Sequence, residues 1–340
     1  MTSSPFLEAC RRRAVPFTPV WLMRQAGRYM PEYRSVRSRY SFLDLCKDSD
    51  AAAEVTVTAV ERLGVDAAII FADILLIVEP LGVGLEFAKG DGPVLHNPLR
   101  TPDDIDRMPD VDAAAAVPFV YDAVRKARAE LKVPLIGFSG APFTLASYVI
   151  EGGGSRNYVH TKSLMYGAPE AWHTLMRRLS KAIVAYLNGQ IAAGAQAVQL
   201  FDSWVGCLSP ADYERFVVPH MQELIGSITP GVPVIHFGTG TGGLLELMRR
   251  GGGDVIGVDW RIDLDVAWKR LGYDVAVQGN LDPIVLFAPL DEIRAQVRRI
   301  IDAIEGHDGH IFNLGHGILP NTPVDNVIAL VDMVHEISAR

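Results

Sequence analysis

Eight short apolar runs recur along this 340-residue chain, and their spacing limits what it can fold into. They are residues 19–23 (PVWLM), 67–75 (AAIIFADIL), 134–139 (PLIGFS), 197–203 (AVQLFDS), 233–238 (PVIHFG), 255–260 (VIGVDW), 275–280 (VAVQGN) and 310–315 (HIFNLG). Segments with helical periodicity lie between them, at 48–63, 103–132, 169–193, 210–228, 242–250, 264–271 and 284–304, and a last one spans 324–338. Strand–helix alternation implies parallel strands with helical crossovers. Eight such units predict an α/β fold: a single (β/α)8 barrel of the TIM type, occupying residues 1–340 as one domain, with its active site at the C-terminal ends of the strands. An open doubly wound sheet is the competitor. No G-x-G-x-x-G follows the first run, which counts against dinucleotide binding.

Several runs end on or beside a polar residue: Asp73, Ser139, Asp202 with Ser203, His236, Asp259, Asn280 and His316. In a barrel these are expected to gather at the C-terminal face. The glycine-rich piece at 151–158 (EGGGSRNY) reads as a mobile loop above that face. Residues 83–95, with Gly90 and Gly92, read as a small hairpin inserted after the second run.

Charge is unevenly placed. The formal net charge is −8, yet Arg24, Arg28, Arg34, Arg37 and Arg39 fall within sixteen residues against one acid, Glu32. Arginine presents a planar fork that grips carboxylates or phosphates and stays charged at any working pH. If residues 24–29 form a helical turn, Arg24 and Arg28 share a face. Gly27 between them allows close approach, and Pro31 turns the chain. Interleaved Trp21, Met23, Tyr29, Met30 and Tyr33 argue for a partly enclosed surface rather than a solvated basic face. The acidic total argues against general nucleic-acid binding.

Three widely spaced cysteines, Cys10, Cys46 and Cys207, form no C-x-x-C pattern, so neither a disulfide framework nor a cysteine-rich zinc site is indicated, which suits a cytoplasmic protein. The N-terminus lacks an apolar core of signal-peptide length. The most apolar window, 67–85, is interrupted by Asp73, Glu79 and Pro80, and reads as a buried strand and its turn rather than a membrane span.

Single residues carry further chemistry. Asp73 in FADIL is costly to bury unless it meets donors or a cation. It would cap or pair locally, accept several ligand N–H groups, or oppose a developing positive charge. Tyr148 precedes the glycine loop, and an isolated tyrosine is more often a core residue. Ser203 has no nucleophile elbow and reads as a hydrogen bonder at a strand end. His316, between two glycines, would bind an anion when protonated or act in acid–base work. The sequence contains no H-E-x-x-H and no H-x-C; after His236 come Phe237 and Gly238. The glycine-rich 238–243 (GTGTGG) lacks the lysine of a phosphate loop.

Five stretches resemble the uroporphyrinogen decarboxylase family: PVWLMRQAGRYMPEYR at 19–34, IIFADILLI at 69–77, GFSGAPFTLASYVIEGGGS at 137–155, QLFDSWVG at 199–206 and NLGHGILPNTP at 313–323. The first and last are the most specific, and the tract from 83 to 130 carries little family signal. The resemblance implies a single barrel, a homodimer with facing clefts, and stepwise loss of the four acetate carboxyls of uroporphyrinogen III, giving coproporphyrinogen III. It implies no cofactor and no metal. It maps Arg24, Gln25, Ala26, Gly27, Arg28, Asp73, Tyr148, Ser203 and His316 onto substrate contact, with Arg37 beside them. Arg24, Arg28, Asp73, Tyr148 and His316 are the catalytic candidates. The proton donor stays open among Arg28, Arg37, a water they hold, Tyr148 and His316. Two other readings compete: a zinc-dependent methyltransferase on a similar barrel, for which the ligand cysteines are missing, and a non-catalytic binder of polyanions.

Overall fold

The computed structural model describes residues 4–88, 92–109 and 112–340. Nine strands occur among them: β1 Ala68–Ile69, β2 Leu85–Ala88, β3 Gly92–Leu95, β4 Leu135–Gly140, β5 Ala197–Asp202, β6 Val234–Gly238, β7 Val255–Gly257, β8 Ala276–Gln278 and β9 His310–Ile311. Seven form one parallel sheet in the order β1-β4-β5-β6-β7-β8-β9. Strands β2 and β3 pair antiparallel as the inserted hairpin, with Gly92 at its edge. Gly90 lies outside the described residues.

The first run, 19–23, forms no ladder. It makes one parallel bridge, Val20 to Phe312, with Phe312 N donating to Pro19 O at 2.9 Å and Asp66 N donating to Val20 O at 2.8 Å. The run therefore stands between β9 and the approach to β1, at the position of the eighth strand. It is too short to pair further because the chain turns at Arg24, whose φ is +62°. The sheet closes around it. Gln278 of β8 donates to Gln199 of β5 at 2.9 Å, and Trp21 Nε1 donates to Gln278 at 2.9 Å. Strands three places apart can meet this way only through the interior of a curled sheet.

The helices follow the apolar periodicity, with breaks where proline or capping intervenes. Asp48 caps Ser49–Leu63 through Asp50 N and Ala51 N. The segment expected at 103–132 is two helices, Pro102–Asp106 and Pro118–Glu130, while residues 110 and 111 lie outside the described residues. The segment at 284–304 divides at Pro289 into a 3-10 turn, Pro283–Phe287, and Leu290–Asp302. Prolines lack an amide to donate, and their ring collides with the preceding turn. Among the described residues no helix is long and apolar enough to cross a membrane.

Candidate active site

Parallel strands deliver their following turns to one end of the sheet, and most of the proposed site residues lie on those turns. Asp73 follows β1 and opens a 3-10 helix, Leu76–Leu81; its Oδ1 accepts from Leu75 N at 2.9 Å. Burial pushes its pKa up to about 6, against the pull of the Leu75 amide and the Arg24 guanidinium. Part of its surface nevertheless stays accessible. Asp73 is thus deep but reachable, as a carboxylate at the floor of a cleft must be.

The arginine segment is not a helical turn. It is two successive turns, closed by Gln25 N to Leu22 O and Met30 N to Gly27 O, both at 2.9 Å. Side-chain bonds compete successfully with the helix here. Gln25 Oε1 accepts from Leu22 N at 3.2 Å, its Nε2 donates to Ala67 O at 3.2 Å, and Tyr29 Oη donates to Gln25 O at 2.6 Å. The Gln25 side chain is buried and committed to these bonds. They hold Arg24 at a positive φ, which costs a non-glycine residue about 1–2 kcal/mol. Such strain in a framework that enforces it is a mark of functional sites.

The five arginines then separate by what they touch. Arg34 clamps the turn through Arg28 O and Tyr29 O. Arg39 pairs with Glu54 at the surface, and Arg37 donates to Tyr40 O. Among the described residues neither Arg24 nor Arg28 has a carboxylate within ion-pair distance. Both are exposed, and Ala26 and Gly27 lie partly exposed between them. Arg24 is the one that influences Asp73, Tyr148 and His316 electrostatically.

His316 follows β9, and its two glycines let neighbours close on it. A Cβ at Gly317 would meet Arg24 Cδ at 2.5 Å, and one at Gly315 would meet Trp260, its Cε3 at 3.0 Å. The imidazole therefore sits between Arg24 and the Trp260–Arg261 turn after β7. Gly317 N donates to His316 Nδ1 at 2.7 Å, which leaves the proton on Nε2. Burial, then Arg24 and Arg261, bring its pKa down to about 4. At neutral pH His316 is a neutral donor, not a cation.

Tyr148 closes another side. It lies on the last turn of Pro142–Glu151, and its ring meets Trp204 edge-on at 4.7 Å; Trp204 meets Tyr158 at 5.2 Å. Burial and the Asp73 charge raise the Tyr148 phenol to about 12, so it keeps its proton. Ser203, on the turn after β5, is partly accessible, and its carbonyl accepts from Thr239.

Other strand-end polar residues do not gather there. Asp202 and His236 are buried, Asp202 bonded to Thr144 at 3.0 Å and His236 Nδ1 to Gly252 O at 3.1 Å. Ser139 is buried and donates to Gly140 O. Side chains alternate faces along a strand, and these point to the helix layer. Asn280 braces the β7 turn through Asp259 O and Ile262 O. Among the described residues no group of three or more His, Cys, Asp or Glu side chains is arranged to hold a metal.

The family model described as Uroporphyrinogen decarboxylase (URO-D) matches residues 1–337. The chain belongs to this family. A uroporphyrinogen decarboxylase of Carboxydothermus hydrogenoformans is 57% identical over 337 residues, covering 98% of this chain and 96% of that one. One of Sorangium cellulosum is 56% identical over 335 residues, covering 98% and 96%. Among solved structures, a methyltransferase from Methanosarcina mazei superposes with a TM-score of 0.81 at 20% identity, covering 98% of this chain and 97% of that one. That likeness shows the barrel fold.

Arg261 and Trp260 escaped the sequence reading. Trp260 ends the run at 255–260 and Arg261 follows it, and nothing in that pair marks a site.

The two glycines beside His316 separate packing from function. Gly315→Ala sets its methyl against the Trp260 backbone and is expected to lower the melting temperature by several degrees. Gly317→Ala meets only the flexible Arg24 side chain; it is expected to fold with a near-normal melting temperature and lose activity as Arg24 is displaced. Thermal melts beside turnover assays check both; the reverse ranking would refute the assignment.

Proposed function

We propose that this protein removes the four acetate carboxyl groups of uroporphyrinogen III in succession, leaving methyl groups and giving coproporphyrinogen III and four CO2. The observation that carries this reading is the pairing of a deep carboxylate, Asp73, with the unengaged guanidinium groups of Arg24 and Arg28 at the same end of the sheet. Family membership names the substrate class, and the geometry supplies the chemistry. The chain works as one barrel unit.

For each arm, a ring carbon of the pyrrole takes up a proton, which makes the ring cationic. The bond between the acetate CH2 and its carboxylate breaks, its electron pair flows into the ring, and CO2 leaves an exocyclic methylene. The methylene carbon takes a proton to become methyl, and the ring carbon returns one to solvent. The sum is one proton consumed and one CO2 released per arm. The pyrrole is its own electron sink, so the reading needs no cofactor and no metal.

Asp73 accepts the inward-pointing pyrrole N–H groups. Its charge stabilises the cationic ring more than the neutral one, which is the condition for catalysis rather than binding. Arg24 and Arg28 hold peripheral carboxylates. Gln25 holds the turn on which Arg24, Ala26 and Gly27 face the substrate. Ser203 and Tyr148 add hydrogen bonds, and Arg37 supports the arginine side. With Tyr148 near 12 and His316 near 4, neither is poised to release a proton at neutral pH, so the proton comes from water held on the arginine rim. The protein acts in the cytoplasm as a homodimer.

Anaerobic incubation with uroporphyrinogen III, then oxidation and chromatography by carboxyl number, tests the activity; seven-, six-, five- and four-carboxyl porphyrins are expected. An unchanged eight-carboxyl peak with retained binding would leave only a polyanion binder. Asp73→Asn should keep substrate affinity and lose about 10²- to 10³-fold in kcat; a wild-type rate would refute the electrostatic role. Asp73 must be ionised to act, and its pKa is raised to about 6, so kcat/KM should fall as pH drops through 6, close to tenfold per unit below it. A flat profile down to pH 5 would contradict this. Light scattering is expected to give twice the chain mass.

A further inference from the structure

We infer that Arg261 is a second carboxylate anchor of the site, set on the β7 side of the cleft and reserved for an arm that keeps its carboxylate through the reaction. The inference rests on the function proposed above. The sheet order puts the arginine segment between β9 and β1, with β9 and β8 separating it from β7 on that side. Arg24 and Arg28 therefore hold one sector of the rim only. A flat substrate with carboxylates around its whole edge needs a cation elsewhere.

Arg261 is built for that task. Asp259, buried and ending the β7 turn, accepts from Arg261 Nη1 at 2.6 Å, from Arg261 N at 3.0 Å and from Gly240 N at 2.5 Å. The guanidinium lies over the Trp260 ring at 3.9 Å. Trp260 in turn meets His316 edge-on at 6.5 Å. One carboxylate oxygen and one aromatic face thus fix the fork, while half of the side chain stays exposed. A guanidinium has five N–H donors, and the bond to Asp259 occupies one nitrogen. The others are free to meet an anion bidentately, and little side-chain freedom is left to lose on binding. The influence of Arg261 on His316 places it at the same cleft as Arg24.

The chemistry selects the arm. An ion pair stabilises a carboxylate against departure as CO2, so a tight guanidinium contact suits the four carboxylates that remain in the product. Such a contact is equal in ground and transition states and acts on KM.

Steady-state kinetics of Arg261→Gln, which can still donate to Asp259, test this with the octacarboxylate and pentacarboxylate porphyrinogens. KM is expected to rise about tenfold for both, with kcat within twofold of wild type. The rise of KM with added salt should also become shallower. An unchanged KM, or a lower kcat at unchanged KM, would overturn the inference, the second because it marks a loop effect. A KM effect confined to the octacarboxylate would overturn the assignment to a retained arm. If the glutamine variant does not fold, Arg261→Lys takes its place: it keeps the charge but loses the fork, and KM should rise about threefold, an unchanged KM again refuting the anchor. Inactivity of the wild-type protein would instead refute the underlying function, a result distinct from all of these.

Discussion

The site depends on how the barrel is closed. The run at 19–23 is a strand in position but not in length, and every backbone N–H from Val20 to Met23 donates to a partner. Met23 N donates to Asn313 Oδ1 at 3.1 Å, and Ile318 N donates to Met23 O at 2.9 Å. Asn313 Oδ1 also accepts from Leu314 N at 2.8 Å. The first and last stretches of the resemblance are thus stitched to each other. Arg24 enters the mouth directly after the stitched residue, and Gly317 gives its side chain the space to lie down. Inside, Trp21 completes the Gln199–Gln278 bridge. Closure and arginine placement are one event: a displaced first run would open the ring and withdraw Arg24 together.

Electrostatics inside the cleft follow from this placement. Asp73 sits near Arg24, which alone would depress its pKa. Burial outweighs the guanidinium, and the carboxyl rises to about 6. The imbalance is informative. A tight Asp73–Arg24 pair would occupy the floor carboxylate and hold its pKa down. Arg24 is close enough to be felt and too far to pair, so the floor remains an acceptor and the rim a donor. On a protein of formal net charge −8, the cationic rim is also local. Long-range repulsion of a polyanion is overcome where Arg24 and Arg28, without carboxylate partners among the described residues, concentrate positive charge, while the charge of Arg261 is shared with Asp259.

The sequence reading succeeded where periodicity and apolar runs decide. Six of the seven sheet strands fall within the apolar runs, β4 passes the end of its run by one residue, Gly140, and helices 169–193, 264–271 and 324–338 have the expected bounds. It fell short where the pleat decides. Asp202 ends β5 and His236 lies in the middle of β6, whereas Asp73 and Ser203 follow their strands, and a shift of one residue sends a side chain to the helix layer instead of the mouth. The helical turn expected at 24–29 gave way to turns braced by local bonds of Gln25 to Leu22 and Tyr29 and by a bond from Gln25 Nε2 to Ala67 O, a partner that only folding brings near. Arg261 was illegible for a related reason. Nothing in Trp-Arg after Asp259 announces that the turn leans toward His316 until Gly315 is seen packed against Trp260.

Two kinds of charge therefore divide the work on the proposed reading. The guanidinium groups meet carboxylates that are anionic before, during and after the chemical step, so they set affinity and orientation. The floor carboxylate meets N–H groups that become strongly polarised only when the ring is cationic, so it lowers the barrier. An arginine at the floor would bind the same polyanion and oppose the cation; an aspartate at the rim would repel the substrate. With His316 held neutral between Arg24 and Arg261, no third charge blurs this division at neutral pH. The chain segregates its charges by depth, and that segregation, more than the number of arginines, distinguishes a decarboxylating cleft from a surface that only holds polyanions.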